Sequence, residues 1–375
     1  MMVQRMAEHR ADAREHSGLM EVASLSLALD QVPGRNSPGE RIRCLDTARG
    51  LSIVLVVIFH ASIALNHLGA LNPQVWLISD FFAAIRMPVF FAISGFLGAR
   101  ILRLGWKAVL TRRVLLLTYL YALWTALDLL ANAPLGRPTG VHLWLTTLAW
   151  PNPVLWFIWA LSGYFVVAKL CDRRLKWTAL LLATCLTIGV ELKLPLASSP
   201  EHLKALTYAS FFLAGAYLAN GVVLIIRFWK VALLVSFSFY VVVFFAERWS
   251  YLTPHWQVLL PGAGIVAGLS GARLLDAIPI LNSALAYLGR NTLTIYLAHT
   301  QFLKLLEPTC GTIMQWPGFQ YWGLLVTVPA VIALSIAVRP LAEAIGGRWL
   351  YALPKFSPPL TRPHRKTALQ RAVSR

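Results

Sequence analysis

Charge is what this sequence has least of. Of its 375 residues only 13% are Asp, Glu, Lys or Arg, roughly half the share of a soluble domain. A soluble chain of this length needs more charge than that to cover its surface, so the class is excluded, together with coiled coils, collagens and disordered tails. Carboxylates are scarcest, with 16 Asp+Glu against 34 Lys+Arg. The four cysteines, Cys44, Cys171, Cys185 and Cys310, lie far apart with neither a CxxC pair nor a metal-ligand spacing. A disulfide framework and a metal centre are therefore not expected. No internal repeat is visible, which counts against inverted-repeat transporters.

Long apolar runs are there instead, in a chain that is 57% apolar. Crossing a bilayer takes about 20 such residues. Windows of that size fall at 47–67, 76–98, 113–131, 153–171, 177–192, 205–225, 231–247, 256–272, 284–303 and 319–338. The chain reads as an all-α, polytopic membrane protein with about ten transmembrane helices. A net charge of +18 would suggest nucleic acid in a soluble protein, but here its distribution decides. If both termini are cytosolic, the outer loops hold only Arg137, Lys193, Lys204, Arg248 and Lys304, while most other basic residues fall inside. Cytoplasmic loops collect Lys and Arg in this way, and no nucleic-acid partner is expected. Three regions follow: residues 1–44 as a cytosolic, disordered arm, 45–340 as the transmembrane domain, and 341–375 as a basic cytosolic tail.

Ionisable groups inside spans are costly and usually face a cavity or a partner. The first window begins Leu45-Asp46-Thr47-Ala48-Arg49-Gly50 and carries His60 farther along. Eleven residues separate Arg49 from His60, three helical turns within about 20°, so the two share a face about 16 Å apart along the axis. Asp46 lies about 40° away on the same side. The bland alternatives are a boundary ion pair between Asp46 and Arg49 and a neutral histidine bonded to a backbone carbonyl. The second window runs back through Arg86-Met87-Pro88, which places Arg86 at about the depth of His60, roughly 18 Å in. A guanidinium there needs an anion or a polar cavity; pairing with Asp80 is the alternative. Arg100, Arg103, Lys107, Arg112 and Arg113 form a cytosolic cluster suited either to topology signalling or to holding phosphates.

Taken together these segments resemble the acyltransferase 3 family of integral membrane acyltransferases. The resemblance rests on Leu45-Asp46-Thr47-Ala48-Arg49-Gly50 through His60, on Met87 to Leu97, and on Arg112-Arg113-Val114-Leu115. Leu155-Trp156-Phe157-Ile158 and the late Gly289…Tyr296…His299 segment complete it. It extends from about Arg43 to Arg339. Two departures stand out: Leu117-Thr118-Tyr119 replaces prolines after the third-span arginines, and Val154 stands where a His commonly precedes the Trp-Phe motif.

The resemblance implies transfer of an acyl group, acetyl or succinyl, from cytosolic acyl-CoA to a hydroxyl of an extracytoplasmic glycan. His60, Arg86 and Asp46 would be the catalytic set. His60 would serve as general base or acyl carrier, Arg86 as oxyanion stabiliser, and Asp46 would orient Arg49. Arg49, Arg112 and Arg113 would bind the CoA phosphates. Trp156, Trp159 and Asp80 are placed on the acceptor side, where Trp144, Trp150, Trp156 and Trp159 would stack on sugar; an interfacial aromatic belt is the alternative for these tryptophans. Tyr296 and His299, near the outer end of the ninth window, are weaker site candidates, with a structural part as the preferred reading. The expected setting is the inner (plasma) membrane, with membrane lipids and the acceptor as partners; oligomeric state and acceptor identity stay open. The rival from another class is a transporter or glycan flippase using His60, Arg86 and Asp80 as a polar pathway.

Overall fold

A computed structural model describes residues 43–72, 74–171, 174–249, 259–306, 316 and 318–354. The expected arm up to residue 42 and the tail beyond 354 lie outside the described residues.

The described residues are all-helical. In chain order they form α1 (Arg43–His67), α2 (Gln74–Phe81), α3 (Ala83–Leu102) and α4 (Trp106–Val109). A π-helical turn over Leu110–Val114 leads into α5 (Leu115–Leu130), and α6 (Val141–Thr146) and α7 (Trp156–Leu170) follow. Next come α8 (Lys176–Glu191), α9 (Pro200–Tyr217), α10 (Ala219–Arg227) and α11 (Trp229–Arg248). The last four are α12 (Leu260–Leu274), α13 (Pro279–Arg290), α14 (Thr292–Leu306) and α15 (Phe319–Ala344).

Five segments among the described residues are long and apolar enough to cross a membrane: Arg43–His67, Gln74–Leu102, Trp106–Leu135, Trp229–Arg248 and Phe319–Ala344. A sixth arises if the pair α9 and α10, bent by 80°, counts as one span. The sequence windows differ from this because hydropathy does not register backbone breaks. The window 205–225 runs across the bend at Leu218, whose φ of −106° and ψ of 39° leave the helical region. The window 284–303 likewise runs through Asn291, where α13 ends and α14 starts. Several helices are shorter than their windows. The 15 residues of α7 reach about 22 Å, against a hydrocarbon core of about 30 Å. Helix α15 continues to Ala344, and the turn that follows docks back on α5. There Trp124 Nε1 donates to the Leu350 carbonyl at 2.7 Å and the Tyr119 hydroxyl to the Trp349 carbonyl at 3.0 Å.

Helices α1 and α3 form the centre, and small residues let neighbours approach them closely. A Cβ added at Gly215 of α9 would lie 1.9 Å from the Ala92 carbonyl oxygen of α3. One added at Gly289 of α13 would lie 1.8 Å from the Asp46 carbonyl oxygen of α1. Ile53, Phe91, Phe157, Phe212 and Tyr296 belong to the main core; Ile85, Val89, Ile93, Ile226 and Tyr240 form a second one behind α3. The outer flank of α11 exposes Val231, Leu234, Val235 and Val242. Such a flank needs an apolar surrounding, which a bilayer supplies.

Candidate active site

His60 lies on the half of α1 farther from Arg43, and its ring faces a second imidazole. The His60 Nδ1 atom is 3.0 Å from the Val56 carbonyl oxygen and 3.1 Å from Nε2 of His299 on α14. His299 is fully buried, with its own Nδ1 2.8 Å from the Tyr296 carbonyl oxygen and 3.1 Å from that of Ile295. His60 is half-buried. The bland expectation of a carbonyl-bonded histidine thus describes one edge of the His60 ring. Its Nε2 has no hydrogen bond to a described residue.

Arg86 is 9% exposed, and its guanidinium lies 4.1 Å from the centre of the Phe59 ring. Phe59 in turn packs against His60, with ring centres 5.2 Å apart. The matched depth of Arg86 and His60 expected from helix lengths therefore corresponds to shared contact with one ring. No described residue forms an ion pair with Arg86. Asp80, Tyr208 and Tyr240 lie within its electrostatic reach, and Arg86 lies within that of His60. A cation so deeply buried, with Asp80 near it but no direct ion pair to a described residue, favours negative charge that a ligand brings.

Two cavities lie at opposite ends of this core. The first, about 160 Å³, is lined near the start of α1 by Arg49, Phe90, Ser94, Arg113, Thr292 and Tyr296, among others. Arg49 donates to the Thr292 hydroxyl at 2.6 Å and lies 5.8 Å from the centre of the Phe90 ring. The α13–α14 break thus presents the hydroxyl that holds it. Beyond this cavity runs a closed seam lined by Ile53, Val56, Met87, Phe90, Phe157 and Tyr296. Arg49, Ile53, Val56 and His60 are spaced by four, three and four residues, a single stripe along α1. The stripe leads from the basic cavity through the seam to the imidazole. The second cavity, about 420 Å³, opens at the far end and is lined by Asp80, Pro88, Glu191, Tyr208, Tyr240, Glu247 and Arg248, among others. No three His, Cys, Asp or Glu side chains among the described residues are grouped to hold a metal ion.

An acyltransferase-domain family model, Acyl_transf_3, matches residues 42–339. The chain belongs to the acyltransferase 3 family. No curated protein and no solved structure matches it.

The remaining candidates of this acyltransferase-family chain distribute unevenly. Arg112 and Arg113 are both exposed in the π-helical turn, but Arg113 lines the basic cavity and approaches the Phe165 ring at 5.9 Å, whereas Arg112 is not among the residues lining it. Asp46 is 3% exposed beneath the α13 crossing. Trp156 is 8% exposed and packed between Phe91 and Tyr208. It is a core residue with little free face, and Lys204 lies 5.9 Å from its ring centre. Trp159 donates to the Leu148 carbonyl at 3.0 Å and Trp144 to that of Ala122 at 2.9 Å, whereas Trp150 is 61% exposed. The sequence offers His299 only as a weaker site candidate, with a structural part preferred, and does not single out Thr292. Nor does it single out Asp128, which is 4% exposed and ion-paired to Lys304 at 2.7 Å. Gln301 and Asn152 donate to the same carboxylate. The late Gly289…Tyr296…His299 motif was the available signal for the histidine.

Proposed function

We propose that this membrane acyltransferase moves an acyl group, acetyl in the first instance, from acyl-CoA on the cytosolic face to an acceptor hydroxyl on the other face. The acceptor is a glycan or related cell-envelope molecule, and the setting is the inner membrane with both termini cytosolic. The observation that carries this reading is the single stripe on α1, Arg49-Ile53-Val56-His60, joining a basic cavity at one end to an imidazole next to an unpaired guanidinium. Arg49 and Arg113 suit CoA phosphates, since Arg meets phosphate oxygens with paired N–H groups. An extended pantetheine arm spans the roughly 16 Å to His60 once Phe90, Phe157 and Tyr296 part. The far cavity, with carboxylates and tyrosines, suits the hydroxyls of a carbohydrate.

In the direct form of the reaction, His60 Nε2 takes the proton of the acceptor hydroxyl while its oxygen attacks the thioester carbonyl carbon. The carbonyl π pair moves onto oxygen, and the oxyanion faces the Arg86 guanidinium. On collapse the C–S bond breaks, the ester forms, and the CoA thiolate takes back the proton held on His60. The products are an O-acyl acceptor and free CoA thiol, with no redox change.

The test is inverted membrane vesicles given labelled acetyl-CoA and then labelled succinyl-CoA. Label is expected in the glycan fraction for wild type and not for His60→Ala at equal protein level. Equal labelling by the two proteins removes His60 from the chemistry. No labelling from either donor with wild type rejects the reading and leaves the transport alternative.

A further inference from the structure

We propose that His299 is a positioning residue that fixes the proton of His60 on Nδ1, leaving Nε2 as the basic nitrogen. The role in catalysis rests on the acyl-transfer reading above; the position of the proton does not. Two backbone carbonyls place the hydrogens, because a carbonyl accepts hydrogen bonds and never donates them. His299 Nδ1 lies 2.8 Å from the Tyr296 oxygen, so that nitrogen carries a hydrogen. His60 Nδ1 lies 3.0 Å from the Val56 oxygen, so it carries one as well. The two rings meet through His60 Nδ1 and His299 Nε2, 3.1 Å apart. A hydrogen on His299 Nε2 would point at the hydrogen on His60 Nδ1, so Nε2 presents its lone pair. His299 is then the neutral Nδ1–H tautomer and His60 donates its Nδ1 hydrogen to it, which leaves His60 Nε2 as the nitrogen that gains or loses a proton.

The Val56 carbonyl accepts from the His60 amide as well as from Nδ1, so the Nδ1 hydrogen is shared between that oxygen and His299 Nε2, and only the second acceptor lies on another helix. The His299 nitrogen has no other described partner, and its ring is clamped by the carbonyls of Tyr296 and Ile295. It therefore fixes both the tautomer and the direction of the His60 ring. When Nε2 takes the acceptor proton, the His60 imidazolium keeps donating its Nδ1 hydrogen to His299. This is the part an aspartate plays toward the histidine of a hydrolase triad, filled here by a neutral imidazole. Neutrality suits the membrane interior, where a carboxylate would bring a further charge to desolvate.

Two readouts test it, both on the full chain in lipid nanodiscs or vesicles. The first is nitrogen NMR of protein labelled with 15N-histidine, with the His60 signals identified by their loss in His60→Gln. The wild type is expected to show a protonated Nδ1 and a bare Nε2 for His60, and His299→Phe a mixture of tautomers. A proton on His60 Nε2 in the wild type, or an unchanged tautomer in His299→Phe, overturns the proposal. The second is transfer from labelled acetyl-CoA. His299→Phe is expected to lower kcat about 100-fold and to leave the donor KM within about twofold. His299→Gln, whose side-chain carbonyl accepts the Nδ1 hydrogen, is expected to recover at least tenfold of that loss. A kcat equal to wild type in His299→Phe, or no recovery in a folded His299→Gln, contradicts it. Absence of transfer by the wild type would instead count against the acyl-transfer reading, and the NMR arm would still decide where the proton sits.

Discussion

Removing the Arg86 guanidinium takes away a buried positive charge that forms no direct ion pair with a described residue. If it faces the oxyanion, the effect belongs to the transition state: Arg86→Met should lower kcat by about 100- to 1,000-fold, as loss of one oxyanion donor does, and change the donor KM little. A rise in donor KM with an unchanged kcat would place Arg86 in ground-state binding instead. The two third-segment arginines make a sharper pair. Arg113 lines the basic cavity and Arg112 does not, so Arg113→Ala should raise the donor KM about tenfold, equivalent to about 1.4 kcal/mol, and Arg112→Ala should act more weakly. Equal effects of the two would mean that bulk charge, not the cavity, recruits the donor. At this scale the Arg49-to-His60 relation was legible because eleven residues on one helix is local arithmetic. His299 was not, since its partner is 239 residues away and only packing brings α14 against α1. The sugar-stacking role read for Trp156 had no means of anticipating that Phe91, Tyr208 and Lys204 occupy its faces.

Among the helices, close crossings decide whether the site assembles. Gly215 brings α9 against α3, and Gly289 brings α13 against α1 just before the Asn291 break that presents Thr292 to Arg49. Gly215→Leu drives a side chain into the Ala92 carbonyl, where backbone must shift. Overpacking of this kind costs about 1–3 kcal/mol or more, so the variant should show a lower melting temperature and lower yield in detergent. A wild-type melting curve would show that α3 and α9 are not held as closely as described. The Asp128–Lys304 pair ties α5 to α14. Lys304→Met strands a buried carboxylate at a cost of about 3–5 kcal/mol, and Asp128→Asn combined with Lys304→Met should recover much of the loss; failure of the double variant to recover would assign Lys304 another task. Apolar windows located most of these helices, because hydropathy follows composition. The 80° bend after Tyr217 and the break at Asn291 were not legible in windows of about 20 residues, because averaged hydropathy passes over the few polar residues and glycines beside each, Asn220-Gly221 and Gly289-Arg290-Asn291.

Over the whole molecule, an apolar composition becomes a membrane body with a differently lined cavity at each end. Arginines line the cavity near the start of α1, while Asp80, Glu191 and Glu247 line the far one. In the proposed orientation the end with Arg49 and Arg113 is the cytosolic one, in keeping with the bias of Lys and Arg toward that side. The all-helical, apolar fold class follows from summed properties and was accessible from the sequence; the cavities depend on how α1, α3 and α14 pack and were not. The central claim is that donor and acceptor are used from opposite faces. Its most direct test is sidedness: labelled acetyl-CoA is supplied to sealed inverted vesicles and, separately, to sealed right-side-out vesicles carrying the same amount of protein. The account predicts that glycan is labelled only when the donor contacts the cytosolic face, and that the label lies on the opposite side. Labelling from donor added to the extracytoplasmic face, with the cytosolic face supplied none, would contradict it.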